Sequence, residues 1–288
     1  MDFPNYFADA ESSFDSASFI LYGVPFEKTS SFRHGADKAP YEVRQASWNF
    51  ERYDLRTGIN FEEIRVHDYG DLDVKTMTSK EVFEATKVFS SMVLAKQKIP
   101  IGIGGDHSIT PGIITAFPED IAVVSLDAHM DFRQKYKNDI YNHACVVRRI
   151  ADHIPLQNIV VVGIRSAEKE EYEQAKQLGL FFLDAFTLNT GGLQKSIQQI
   201  KTRLKGKHIY LTLDIDVVDP AHAPGTSTPE PFGLTPLQVI DIIEAISPQL
   251  IGCDLVEVCP PYDHGQTAVL AAKLLQTCIS CIWKNREA

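Results

Sequence analysis

The sequence predicts an α/β protein: a mostly parallel, open sheet of about eight strands with helices on both faces. Three observations predict it. Short β-branched runs alternate with amphipathic stretches along the whole 288-residue chain, as in repeated βα units. The strand runs are almost continuously apolar, as strands buried on both faces must be. No Pro/Gly/Ser-rich linker, repeat or low-complexity tract divides the chain, so residues 1–288 read as a single domain.

In chain order, the strand Phe19–Val24 is followed by a helix over Asp37–Trp48, and Ile64–Tyr69 by Ser79–Gln97. Ile99–Ile103 leads into Ser108–Thr115, Ile121–Leu126 into Ala144–Asp152, and Asn158–Ile164 into Lys169–Leu178. Leu180–Leu183 precedes Leu193–Leu204, His208–Leu213 precedes Pro236–Ile246, and Ile251–Val258 precedes Gln266–Trp283. A closed (β/α)8 barrel would use a similar number of strands. The irregular spacing of the early strands favours the open sheet. So does a cluster of ionisable residues expected on three neighbouring strand ends.

That cluster is the main chemical signal. Asp127, His129 and Asp131 alternate directly after the apolar run Ile121–Leu126. They would point to one side if the strand geometry continued. Asp214 and Asp216 alternate in the same way after Ile209–Leu213, and Pro100–Ile103 ends in Gly-Gly-Asp-His-Ser at Gly104–Ser108. Ligands of open α/β sheets sit outside the carboxyl ends of the strands. Buried charge is costly unless it is paired or bound to a metal. His107, Asp127, His129, Asp131, Asp214 and Asp216 supply two imidazoles and four carboxylates, about the complement of two cations. With no thiolate among them, the set favours Mn²⁺, Fe²⁺, Co²⁺ or Zn²⁺ over Mg²⁺ or Ca²⁺.

Composition excludes several other classes. The net charge of −10 leaves no basic stripe for nucleic acid and suits a cationic substrate. No apolar run reaches the length of a membrane span, and the first residues lack a signal-peptide pattern. Five scattered cysteines fit a reducing compartment, so a cytoplasmic location is expected.

The motifs Gly104–Ser108, Asp127–Asp131 and Asp214–Pro220 resemble, in order and spacing, the signature motifs of the ureohydrolase family. Gly23–Gly35, Ala223–Glu230 and Val256–Asp263 resemble further segments of it, so the likeness spans nearly the whole chain. The resemblance implies a three-layer α/β/α fold and two Mn²⁺ per subunit. His107, Asp127, Asp131 and Asp214 would hold one ion. Asp127, His129, Asp214 and Asp216 would hold the other, with Asp127 and Asp214 bridging. It also implies that Asp131 and His143 move protons and that Glu257 pairs with a guanidinium; in the loop before His143, Asn142 and Asn138 are candidate polar contacts to the substrate.

Those roles suit the chemistry. A guanidinium carbon is a poor electrophile, because resonance spreads its charge over three nitrogens. Its hydrolysis needs an activated water, which two ions roughly 3.5–4 Å apart would provide. The segment Phe132–Asn142 lacks the Ser/Asn-rich pattern of arginases and is most similar to the agmatinase-type loop. The expected reaction is therefore agmatine to putrescine and urea. Guanidinobutyrate, arginine and formimidoylglutamate are alternatives within the family, and a non-catalytic binding role stands outside it. A homo-oligomer, trimer or hexamer, is a further implication.

Some residues depart from the family or stay open. Ala144, Ser227 and Phe232 stand where the family often has glycine, and Phe232 either narrows the pocket or packs. Asp106 reads as a residue that orients its loop, and Asp219 as a turn former. Arg165 either lines the site's mouth or makes an ion pair. Cys278 and Cys281 have redox or metal spacing but share one face of an apolar helix, so they read as buried small side chains.

Overall fold

The computed structural model describes residues 3–287. Eight strands form one sheet: β1 (Phe19–Val24), β2 (Val66–Asp71), β3 (Ile99–Gly104), β4 (Ala122–Leu126), β5 (Ile159–Ile164), β6 (Phe181–Asp184), β7 (Ile209–Asp214) and β8 (Leu250–Val256). Their order is β2-β1-β3-β8-β7-β4-β5-β6, and every neighbouring pair is parallel. The sheet is therefore open and wholly parallel rather than mostly so.

The helices are α1 (Ala39–Ser47), α2 (Ser79–Ala95), α3 (Thr110–Thr115), α4 (Val146–Ile150), α5 (Lys169–Leu178), α6 (Ala185–Thr187), α7 (Leu193–Arg203), α8 (Pro236–Ile246) and α9 (Gln266–Glu287). Their ends follow local chemistry. Thr78 and Glu81 form a capping box on α2, and Thr235 and Gln238 do the same on α8, which has Pro236 in its first turn. Gly179 takes a left-handed φ of 82° to end α5.

Strand alternation divides the core in two. Phe19 and Leu21 of β1 join one cluster with Val43 of α1, Ile200 of α7, Ile242 of α8 and Ile279 of α9. Ile20 and Tyr22, one step along, join a second with Val82 of α2, Ile113 of α3, Val147 of α4 and Ala175 of α5. The sheet is thus the middle of three layers, with both faces covered.

Two expectations need correction. The ligand-bearing strands are not three immediate neighbours, because β8 lies between β3 and β7. The inserted strand is the one that carries Glu257. The expected loop between β6 and α7 contains α6 and a five-residue wide turn, Leu188–Gly192, with Gly191 at φ 94°. Asp184 caps α6 through the Thr187 N–H (2.8 Å), a local signal masked by the Gly191-Gly192 pair.

One buried ion pair fastens an edge. The Arg44 guanidinium of α1 is fully buried and donates to both Asp68 oxygens (2.7 and 2.9 Å) and to Asp71 (2.5 Å). It joins the helix to β2, the outermost strand on its side.

Candidate functional site

The carboxyl ends of β8, β7 and β4 open into a cavity of about 240 Å³, lined by Glu257, Asp214, Asp216, His129 and Asp131 among others. His107 and Asp127 are buried and are not part of its lining. His107 begins the short helical turn after β3, with Asp106 as its cap. Asp127 follows β4. Its N–H still bonds to Val162 of β5 (2.9 Å), and His129 forms a bridge to Ser166, so extended geometry persists for three residues. Asp131 then breaks it with a φ of 48° and turns back over the sheet. Asp214 ends β7 and caps the turn bearing Asp216.

Backbone donors orient the carboxylates. Oδ1 of Asp127 accepts the His129 N–H (2.6 Å), Oδ1 of Asp214 the Asp216 N–H (2.9 Å), and Oδ1 of Asp216 the Ala128 N–H (3.0 Å). The Oδ2 atoms face the imidazoles. His107 Nδ1 lies 3.3 Å from Asp127, 3.3 Å from Asp214 and 3.5 Å from Asp131. His129 Nδ1 lies 2.8 Å from Asp216 and 3.7 Å from Asp127.

Two groups of ligand atoms result, each within 4.8 Å: His107, Asp127 and Asp214, and Asp127, His129 and Asp216. Asp127 belongs to both. Asp214 falls in the first group, and Asp131 adjoins it through His107.

The donor set fits metal ions. His107 Nδ1 and Asp127 Oδ2 are buried and have no hydrogen-bond partner among the described residues. Burial opposes charge on His107, yet Asp127, Asp131 and Asp214 together hold its pKa well above the ordinary histidine value. Burial and Asp127 push Asp131 up to about 7, and burial with Asp216 and Asp127 raises Asp214 well above the ordinary carboxylate range. Asp216 is held down at about 2, where the charge and hydrogen bond of His129 outweigh burial. So much concentrated negative charge calls for cations.

A buried chain behind His107 sets its tautomer. Thr212 donates its hydroxyl proton to Asp254 (2.6 Å), which also accepts from Tyr210 (2.8 Å) and Thr110 (3.2 Å). Thr212 must then accept from His107 Nε2 at 3.0 Å. Nδ1 is then the nitrogen left to face Asp127 and Asp214, where a metal ion would displace its proton.

The remaining expected residues divide. Glu257 and His143 line the cavity. Glu257 has a φ of 66° and accepts the His107 N–H at 2.7 Å. Burial and nearby Asp106 push its carboxyl up to about 8. Burial, then the positive charge of His129, hold the His143 imidazole down at about 4.

Asn142 has a different task. It is buried, its Oδ1 accepts the Ala144 N–H (3.1 Å), and it is not part of the cavity wall. Exposed Asn138 accepts from Lys135 at 3.4 Å. Phe232 is 67% exposed and packs on Phe186 outside the cavity. Its φ of 67° accounts for a position that suits glycine. Asp219 accepts the Ala221 N–H (2.9 Å), as a turn former does. Cys278 and Cys281 are buried and unbridged.

Among the described residues Arg165 makes no ion pair, and it does not line the cavity. It donates to the carbonyls of Gly163 (3.2 Å), Asp216 (2.6 Å), Val217 (3.3 Å), Val218 (3.5 Å), Glu230 (2.8 Å) and Pro231 (3.0 Å).

Several wall residues escaped the sequence reading. Glu230 approaches His129 Nε2 at 3.7 Å. At the mouth, Glu171 accepts the Phe132 N–H (2.7 Å) and lies 3.4 Å from Arg133, which Glu168 approaches at 3.8 Å. Glu168 and Glu171 stand in a charged helix start, which in sequence resembles an ordinary solvated face.

A family model described as the arginase family matches residues 17–281. An agmatinase of Bacillus cereus is 34% identical, over 94% of this chain and 93% of its own. A guanidinobutyrase of Pseudomonas aeruginosa is 33% identical, over 96% and 89%. The solved agmatine ureohydrolase of Thermoplasma volcanium superposes with a TM-score of 0.94 at 38% identity, over 100% of this chain and 97% of that one.

Proposed function

The chain belongs to the arginase family, and we propose that it hydrolyses agmatine to putrescine and urea at a site for two divalent metal ions. The carrying observation is a pair of carboxylate–imidazole groups sharing Asp127, of which His129, Asp214 and Asp216 line one cavity together with Glu257. His107, Asp127, Asp131 and Asp214 would hold one ion; Asp127, His129, Asp214 and Asp216 would hold the other. Mn²⁺ is the proposed metal, in keeping with the oxygen and nitrogen ligands. Bound there, the ions would supply an activated water near neutral pH.

The protein's own groups do the rest. Glu257 accepts two parallel N–H bonds from the guanidinium, whose charge returns the buried carboxyl to its ionised form. His143 is neutral at working pH, so it can take a proton and pass it to the departing nitrogen. Asp131 would assist that transfer. Glu168, Glu171 and Glu230 outnumber Arg133 among the cavity-lining residues, which favours a tail ending in an ammonium group over one ending in a carboxylate.

The test is a panel of agmatine, guanidinobutyrate, arginine and formimidoylglutamate on Mn²⁺-loaded protein, assayed for urea or formamide, with Asp127→Ala as control. Agmatine should be turned over well above the others; equal or better turnover of arginine or guanidinobutyrate sinks the assignment. Among the described residues no helix is long and apolar enough to cross a membrane. A cytoplasmic trimer or hexamer is proposed with this function, and light scattering reads the assembly.

A further inference from the structure

Thr29 lies in the loop after β1 and is buried. Its hydroxyl oxygen has three polar neighbours: Asp106 Oδ2 at 3.0 Å, the His143 backbone nitrogen at 3.0 Å and His143 Nδ1 at 3.1 Å. Asp106 already accepts the Thr29 N–H (3.0 Å), the Ser108 N–H (3.1 Å) and the Ser108 hydroxyl. It is an acceptor on every side.

A hydroxyl has one proton to give and two lone pairs. The Thr29 proton goes to Asp106. One lone pair takes the His143 backbone N–H. The remaining contact is favourable only if Nδ1 carries the ring proton and donates it. Tyr136 packs its ring edge-on against the imidazole, with centroids 6.1 Å apart at 77°, and restrains its plane.

We infer that Thr29 is the positioning residue that holds His143 as the Nδ1–H tautomer, so that Nε2 is the atom that moves the proton. The inference rests on the proposed role of His143. Nε2 takes a proton from the attacking water as the C–O bond forms. The imidazolium returns that proton to the amine nitrogen as the C–N bond breaks and the ring ends neutral, while the proton left on the former water oxygen passes to the freed amine, so that neutral urea and an ammonium ion leave. With the opposite tautomer, Nε2 would have no lone pair to offer.

Neutron diffraction from the metal-loaded protein reads the tautomer directly, and kinetics of Thr29→Val, Thr29→Ser and His143→Ala read its use. The deuteron should lie on Nδ1. Thr29→Val should lower kcat on agmatine about 10²-fold with KM and bound metal unchanged, and Thr29→Ser should return it to within about threefold of the native enzyme. A deuteron on Nε2 overturns the inference. So does a Thr29→Val enzyme with native kcat, or equal losses in both threonine variants accompanied by loss of metal. Full activity in His143→Ala removes the proton-transfer reading and this inference with it. Loss in His143→Ala but not in Thr29→Val removes this inference alone. If circular dichroism shows Thr29→Val unfolded, the neutron result and Thr29→Ser decide.

Discussion

Thr212 shows how a residue that touches no substrate can shape the site. Its hydroxyl leaves His107 Nδ1 free for a cation, so Thr212→Val should weaken metal binding by roughly 10–100-fold. Competition with a metal-sensitive dye measures this, and unchanged affinity would discard the tautomer chain. Glu257→Gln keeps the shape but loses the charge. Charge-assisted hydrogen bonds contribute about 1.5–3 kcal/mol, so KM for agmatine should rise roughly 10–100-fold with metal content intact. The ligand candidates were legible in the sequence because metal chemistry restricts the residue types and strand geometry restricts their spacing. Thr29, Thr212 and Asp254 were not. Their hydroxyls and carboxylate matter only through partners 42 to 114 residues away.

At the scale of elements, Arg44 couples α1 to β2. Arg44→Met would strand the buried Asp68 carboxylate, so stability should fall by about 3–5 kcal/mol; urea unfolding checks this, and a loss under 1 kcal/mol would show that Asp68 finds other partners. Phe232 sits in left-handed backbone at the protein's surface. Phe232→Gly should relieve about 1 kcal/mol of strain and raise Tm by roughly 2 °C, with little change in kcat, since the ring lies outside the cavity. A lower Tm would mean that the contact with Phe186 outweighs the strain. Strands and long helices were legible because each carries its own periodicity. The Leu188–Gly192 turn was not, because its shape is fixed by neighbours: Asn189 donates to the carbonyls of Phe232 (3.1 Å) and Gly233 (3.0 Å).

For the whole molecule, the buried charges tie stability to metal and pH. In metal-free protein, Asp131 at about 7 and Glu257 at about 8 lie above the unfolded carboxylate range. Their proton-linked stability is complete below the unfolded pKa of roughly 4 and is lost as pH rises through about 7 to 8. Metal-free protein should therefore melt at a lower temperature at pH 8.5 than at pH 6. Mn²⁺ should reverse that trend, adding about 2.7 kcal/mol at a hundredfold excess over its Kd. Calorimetry at the two pH values, with and without chelator, checks both; a metal-free Tm that rises with pH would contradict the charge distribution.

The linear sequence carried the α/β class, the six ligand candidates and a charge balance suited to a cationic substrate. Alternating periodicity and ligand chemistry are properties of short segments and survive without a fold. Folding alone placed β8 between β3 and β7, bringing Glu257 beside the ligand candidates. Only it gave Arg165 to six carbonyls and Asn142 to a turn. Strand order and hydrogen-bond partners are settled by which distant surfaces bury each other, and a linear pattern does not contain that information.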